Sequence, residues 1–362
     1  MSENKNDVKD LTVLTEKVNN YKIENGVFGG FSDEIRVPYG VRRIAPLALA
    51  PLKDMKRLVL PETIEHFEPS DLRKPYDTST KSRGVIWGMI DACPPRLKEI
   101  HILGENQSYL SEDGVLYSAD GKRLIYLPPH HYGETVEIAE GAEELGEESC
   151  CFVDSTVIFF PKTLRRVLDR ACCSSNMKKS EIPSCELGVS AFQGCVLPEY
   201  TDIYNEVIPA KAFANCSNVK GIYLHDSVKL VKDEAFSYTD MEKIYIPSTT
   251  QIEENAFVRE EQRWIGDRVI NQHEDGWREV KSNFECYLEN YKDVIIGGEV
   301  GSPAEAFANK NGIKFEIVGS SEEEIKAWLG WQERIDAKGG TGVFYKTPDG
   351  KEVEYDPDDL PF

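Results

Sequence analysis

The sequence predicts an α/β-type repeat solenoid with a parallel β-sheet along one face, an inserted β-hairpin and a helical C-terminal cap. Three observations carry this prediction. Between Ala212 and Phe257 one pattern runs and then restarts: Ala-Phe, an Ile-x-Leu or Ile-x-Ile triplet, and Ala-Phe again. With the last apolar residue of the triplet as a mark, the chain reads Val37, Leu60, Ile102, Ile138, Phe160, Ile182, Ile203, Leu224 and Ile246, and the last six lie 22, 22, 21, 21 and 22 residues apart. Most units also carry two further apolar anchors. One is Ile44, Phe67, Leu145, Val167, Val231 or Ile252, and the other is Leu49, Leu72, Cys150, Cys172, Phe192, Phe213, Phe236 or Phe257. Three anchors per turn, each stacked on its counterpart in the next, are how a repeat array buries a core.

Residues 1–31 read as an N-terminal cap, with Leu11, Val13, Leu14 and Val18 on one helical face and a short strand and turn from Tyr21 to Gly26. The array is predicted over 32–257. Its first anchor is a strand, since Ile244 and Ile246 alternate with Tyr245. Proline follows that strand at Pro38, Pro61, Pro161, Pro183 and Pro247, where its missing N–H stops the ladder. The Ala-Phe anchor is predicted in a turn or short helix on the opposite side. The 42-residue step from Leu60 to Ile102 reads as two units, with Met89 to Cys93 overlaying Ala212 to Cys216 and a polar loop from Arg73 to Gly84. Two Asp-Gly turns between alternating runs place an inserted hairpin at about 105–128.

The rhythm stops after Phe257, so 258–290 is an insertion, with Trp264, Trp277, Phe284 and Tyr287 around a His273-Glu-Asp-Gly276 turn. Residues 291–318 form the last strand and the C-terminal cap: Val294 to Ile296, a helix from Ser302 with Pro303 at N1, and a closing strand, Ile313 to Ile317. Residues 319–362 supply a helix from Glu322 to Ile335, a hairpin from Val343 to Tyr355 and an acidic end. Trp328 and Trp331 share a face of that helix, and packing back on the array is the expected use of it.

Lysine and arginine number 42 against 63 acidic residues, a formal charge of −21. That balance argues against a duplex nucleic-acid partner and against an anionic membrane surface, both of which call for a basic face. The opening MSENKNDVKD has no apolar stretch, and no run is long enough to span a bilayer. Cytoplasmic residence is the expectation, with the cell surface as the alternative if the true start lies upstream. Nine cysteines without a Cys-x-x-Cys pair suit reduced thiols in a core better than a disulfide framework or a zinc site.

The repeat resembles the BspA-type leucine-rich repeat family of bacterial and protist proteins. The likeness rests on Asn218-Val-Lys-Gly-Ile-Tyr-Leu224, Met241-Glu-Lys-Ile-Tyr-Ile-Pro247, Ala191-Phe-Gln-Gly-Cys195 and Ala212-Phe-Ala-Asn-Cys216. Asp113-Gly-Val-Leu-Tyr117, Leu124-Ile-Tyr-Leu-Pro128 and Gly301-Ser-Pro-Ala-Glu-Ala-Phe307 look like companions of the same family. The resemblance covers roughly 32–318 and implies a leucine-rich-repeat right-handed array that binds other macromolecules, many members doing so at cell surfaces. The units around Ser180 and Thr201 depart from the pattern at the first strand position, so irregular strands are expected there.

Parallel stacking exposes one outward column: Arg36, Val59, His101, Glu137, Phe159, Glu181, Asp202, Tyr223 and Tyr245. Its candidate partner-binding residues are His101, Phe159, Tyr223 and Tyr245, because aromatic side chains dominate binding hot spots. The function expected is a non-enzymatic scaffold that binds a protein through this column. A carbohydrate-binding or adhesive surface module is the alternative, and an enzyme with a site in 258–290 near His273 and Trp277 is a third reading. Cys93, Cys195 and Cys216 share one repeat position and read as a buried column. His130-His131 and His273-Glu274 read as solvated pairs. Gly26 to Gly30 and Lys338 to Gly342 lack the flanking residues of a phosphate loop and read as turns. No catalytic residue, cofactor or metal is expected.

Overall fold

The computed structural model describes residues 13–14, 33–37, 39–44, 55–67, 96–131, 133–155, 157–264, 269–272, 278–281, 284–290, 293–331, 343–346 and 352–355. They divide into two compact units, one running up to Pro198 and the other from Glu199 to Trp331. Of the predicted N-terminal cap only Val13–Leu14 is described, pairing in parallel with Arg43–Ile44. The anchors Leu49 and Leu72, the loop 73–84 and the segment Met89 to Cys93 lie outside the described residues, as do Gly26 to Gly30, His273, Trp277 and Lys338 to Gly342.

In the first unit the marks align as their spacing requires. Strands Glu34–Arg36, Arg57–Pro61 and Glu99–Leu103 form a parallel sheet in which Ile35 faces Leu58 and Leu60 faces Ile102. Direct pairing of the last two strands corrects one expectation. No front strand stands between them, because a strand cannot intercalate between two that already share hydrogen bonds. A second front pair joins Thr135–Glu137 to Val157–Phe159. The next unit lacks a strand at Ile182, although its side chain stays buried. There the Ser180 hydroxyl accepts the Ile158 N–H at 2.9 Å. A side chain thus satisfies the group that a neighbouring strand otherwise would. Around Thr201 the expected irregularity is absent, since Tyr200–Ile203 is a regular strand.

The inserted residues make a three-stranded meander. Tyr109–Glu112 pairs antiparallel with Val115–Ser118 across Asp113-Gly114, both with positive φ, and Val115–Ser118 pairs antiparallel with Arg123–Tyr126. The last of these strands begins the second side of the stack. Leu124, Leu145, Val167 and Leu187 succeed one another in parallel register, all buried.

The third side is neither strand nor helix. Non-glycine residues with positive φ recur two before and two after the anchor: Glu148 and Phe152 around Cys150, Arg170 and Ser174 around Cys172, Lys211 and Asn215 around Phe213, and Glu234 and Tyr238 around Phe236. Around Phe192 the pair is Ser190 and Gly194. Left-handed backbone costs about 1–2 kcal/mol for an ordinary residue. Hydrogen bonds between successive turns offset it, such as Cys150 N–H to Ala171 O at 2.7 Å and Phe152 N–H to Cys173 O at 3.1 Å.

The second unit repeats this plan. Tyr200–Ile203, Gly221–Leu224, Lys243–Tyr245, Ile295–Gly298 and Lys314–Ile317 form a five-stranded parallel front sheet. Val207–Ile208, Leu230–Val231 and Gln251–Ile252 form the second side. On the third side Phe213, Phe236 and Phe257 stack at centroid distances of 5.7 and 5.6 Å. Phe307 ends that file, 5.6 Å from Phe257. It is carried by the helix Pro303–Asn311, which Ser302 caps by accepting the Glu305 N–H and which Gly312 closes in the left-handed region.

Residues 258–290 leave the stack and return to it. Val258–Trp264 pairs antiparallel with Phe284–Asn290, and Val269–Gln272 with Arg278–Lys281, while Lys243–Tyr245 pairs directly with Ile295–Gly298. The last helix is shorter than predicted, Glu322–Leu329, because Gly330 takes φ 80° and closes it. Val343–Lys346 and Glu352–Tyr355 form the expected hairpin.

Candidate functional site

In the second unit the outward column reads Asp202, Tyr223, Tyr245, Gly297 and Glu316 by strand register. The helix Glu322–Leu329 covers it. Tyr223 and Tyr245 form one apolar cluster with Val318, Ile325 and Leu329, and Tyr200, Trp328 and Trp331 pack against them. Glycine makes the close approach feasible. A Cβ on Gly297 would stand 2.6 Å from Trp328 Cη2, and one on Gly221 would stand 2.9 Å from the Tyr200 ring. Polar contacts then fix the helix. Trp328 Nε1–H donates to Glu316 at 2.7 Å, the Lys243 ammonium donates to the Trp328 carbonyl and lies 5.0 Å over its ring, and Trp331 stacks on Tyr200 at 5.4 Å.

This arrangement corrects the expectation for two candidate residues. Tyr223 is 8% exposed and Tyr245 2% exposed, so neither presents a surface to an outside partner. The reason is that Trp328 and Trp331 pack back, as their shared face suggested. Burial pushes the Tyr245 hydroxyl up to about 12, and it raises that of Tyr223 as well.

The front of the first unit has another character. Glu34 accepts from Arg36 at 2.6 Å and from Arg57 at 3.2 Å, and Glu99 meets Arg57 and His101 Nε2 at 2.7 Å each. The two guanidinium groups hold the Glu34 carboxyl below the usual carboxylate range, and Glu99 and Glu34 raise Arg57. Within the outward column Arg36 and Glu137 are exposed, His101 and Phe159 are half-buried, and Val59 is buried. His101 and Phe159 are therefore reachable, although they lie in different sheets.

Sequence reasoning missed one constellation. Tyr204 and His225 occupy the outward position next after Asp202 and Tyr223, and the imidazole is stacked between two phenol rings at 3.8 Å from each. His225 Nε2 also meets Asp202 at 2.7 Å. Period-two alternation along Tyr223-Leu224-His225 was the available signal. The histidines at 130 and 131 line a surface cavity, whereas His273 lies outside the described residues. Among the described residues no three His, Cys, Asp or Glu side chains are grouped to hold a metal. Cys195 and Cys216 are buried as expected, and Cys195 Sγ reaches the Cys172 carbonyl at 2.9 Å. Among the described residues no helix is long and apolar enough to cross a membrane.

Three short sides per turn, parallel registers about 22 residues apart and stacked buried anchors define a leucine-rich type of repeat array. Residues 135–262 match the family described as BspA type leucine rich repeat region, in six copies, so this stretch carries BspA-type leucine-rich repeats. No curated protein matches the chain. Among solved structures, a leucine-rich repeat protein from Eubacterium ventriosum is similar at 14% identity and TM-score 0.45, over 67% of this chain and 68% of that one. A leucine rich cell surface protein from Faecalibacterium prausnitzii is similar at 20% identity and TM-score 0.37, over 62% of this chain and 56% of that one. The pneumococcal vaccine antigen PcpA is similar at 14% identity and TM-score 0.40, over 85% and 84%.

Proposed function

We propose that this chain is a non-enzymatic scaffold that binds a protein partner through the front-sheet side chains of its first unit, Arg36, His101, Glu137 and Phe159. One observation carries the reading: Arg36, His101, Glu137 and Phe159 reach solvent from hydrogen-bonded strands, whereas the equivalent column of the second unit lies under the chain's own helix. The Glu34–Arg57–Glu99 ion pairs hold the side chains around His101 in place before any partner arrives. A preorganised surface loses little conformational entropy on binding. Phe159 supplies the aromatic contact and Arg36 the charged one, both types enriched at binding hot spots.

The test is capture from the native lysate by the wild-type chain, followed by the same capture with His101→Ala/Phe159→Ala at unchanged thermal stability. Affinity for the recovered protein is expected to fall at least about tenfold, the effect of losing roughly 1.4 kcal/mol of contact. Recovery of the same protein at undiminished affinity would sink the assignment. A carbohydrate-binding reading has one observation of its own, the Tyr204 ring, 43% exposed, stacked on His225 beside Asp202. If a glycan is the ligand, Tyr204→Ala and not the double variant releases it.

A further inference from the structure

The cavity beside His130 and His131 belongs to the first unit and has about 380 Å³ of space. Its charged and titratable lining consists of Lys56, Arg96, Lys98, His130, His131 and Asp154. Three permanent cations and two imidazoles thus converge against one carboxylate, in a chain whose formal charge is −21. Such a concavity concentrates anions locally while the rest of the chain repels them. Backbone rungs between turns set its walls: Lys98 N–H to Lys56 O at 2.8 Å, His130 N–H to Leu97 O at 3.2 Å and Asp154 N–H to Pro129 O at 2.9 Å.

The chemistry of the lining is specific. Lys56 and Lys98 take the same place in adjacent turns, since Arg57 faces Glu99 in the ladder. Like charges opposed in that way are destabilising unless a counter-charge lies nearby. Asp33 meets Lys56 at 2.8 Å, and Asp154 lies 3.9 Å from His130 Nδ1. His131 Nδ1 sits 3.0 Å from the Lys98 carbonyl. A carbonyl only accepts, so Nδ1 carries the hydrogen.

We infer that this cavity binds a small molecule bearing a tetrahedral oxyanion, held by Arg96 and Lys98 beside the rings of His130 and His131. The space exceeds what a bare oxyanion fills and leaves room for a small organic body next to Pro129.

Calorimetric titration of the full chain with sodium sulfate at neutral pH and constant ionic strength tests it, because sulfate is a dianion there. One saturable site is expected. Arg96→Gln alters an exposed position and is expected to weaken binding about tenfold. Phenyl phosphate that binds more tightly than inorganic phosphate identifies an organic ligand, and equal affinities identify the free oxyanion. Absence of a saturable site, or indifference to Arg96→Gln, overturns the inference.

Discussion

The two front sheets share one backbone plan and differ in what lies on them. In the first unit, the outward rows of Glu34–Arg36, Arg57–Pro61 and Glu99–Leu103 form ion pairs with one another and meet solvent. In the second, Tyr223, Tyr245 and Gly297 form an apolar bed on which the helix Glu322–Leu329 rests. A parallel stack makes a column from whatever residue recurs at one register, so its surface chemistry is decided independently of its core. Charge in the column keeps it wet. Aromatic and glycine residues in the column call for a cover, because large exposed apolar patches are uncommon on soluble chains.

Removing the cover's central side chain is the strongest way to break this contrast. Trp328→Ala deletes the ring against Gly297, the hydrogen bond to Glu316 and the cation contact from Lys243. A loss of about 3–5 kcal/mol in docking free energy is expected for truncation of a large packed aromatic. Amide-exchange protection should collapse in 322–329 while the strands of the first unit keep theirs. Unchanged protection over the helix would mean that Trp328 does not hold it.

A smaller effect comes from the bed. Gly297→Ala places a methyl group where Trp328 Cη2 stands 2.6 Å away and a Val318 methyl 2.9 Å away. Overpacking of that kind costs about 1–3 kcal/mol. The strand Ile295–Gly298 should persist while the helix loosens, which separates this variant from one that unfolds the sheet. A crystal structure of Gly297→Ala with the indole unmoved would refute the proposed fit.

The stack was legible because its signal is arithmetic: recurring apolar residues need only constant spacing, and the registers Ile203–Leu224 and Ile222–Ile244 follow it. Two departures were local. Ser180 replaces a strand partner with a hydroxyl, which no spacing reveals, whereas Thr201 breaks the consensus at a position where the backbone ladder tolerates it. The third side was ambiguous between turn and short helix because ordinary residues such as Glu234 and Tyr238 adopt positive φ there without the glycine that would announce it. The outward column was the least legible part. Alternation shows that Tyr223 and Tyr245 point outward from the core, but it is silent on what covers them from a point some 85 residues later, the separation of Lys243 and Trp328. The clue was Gly297 in the same column, a residue without a side chain where the pattern had Tyr.

The subtlest consequence of the covered face is a titration. Burial under the helix pushes Tyr245 up to about 12 and raises Tyr223, whereas an unfolded tyrosine ionises near 10. In the folded state both hydroxyls hold their protons more tightly, so their contribution to stability is complete below about pH 10 and is lost as pH rises beyond it, through about 12 for Tyr245. Tyrosinate absorbance should show these two residues titrating late in the wild-type chain. Trp328→Ala should return them towards the ordinary value, with the buried Tyr117 of the first unit, also near 12, as the internal control that stays late. If Tyr223 and Tyr245 titrate alike with and without the indole, then the strands, and not the helix, keep them from water, and the contrast between the two fronts rests on residue type alone.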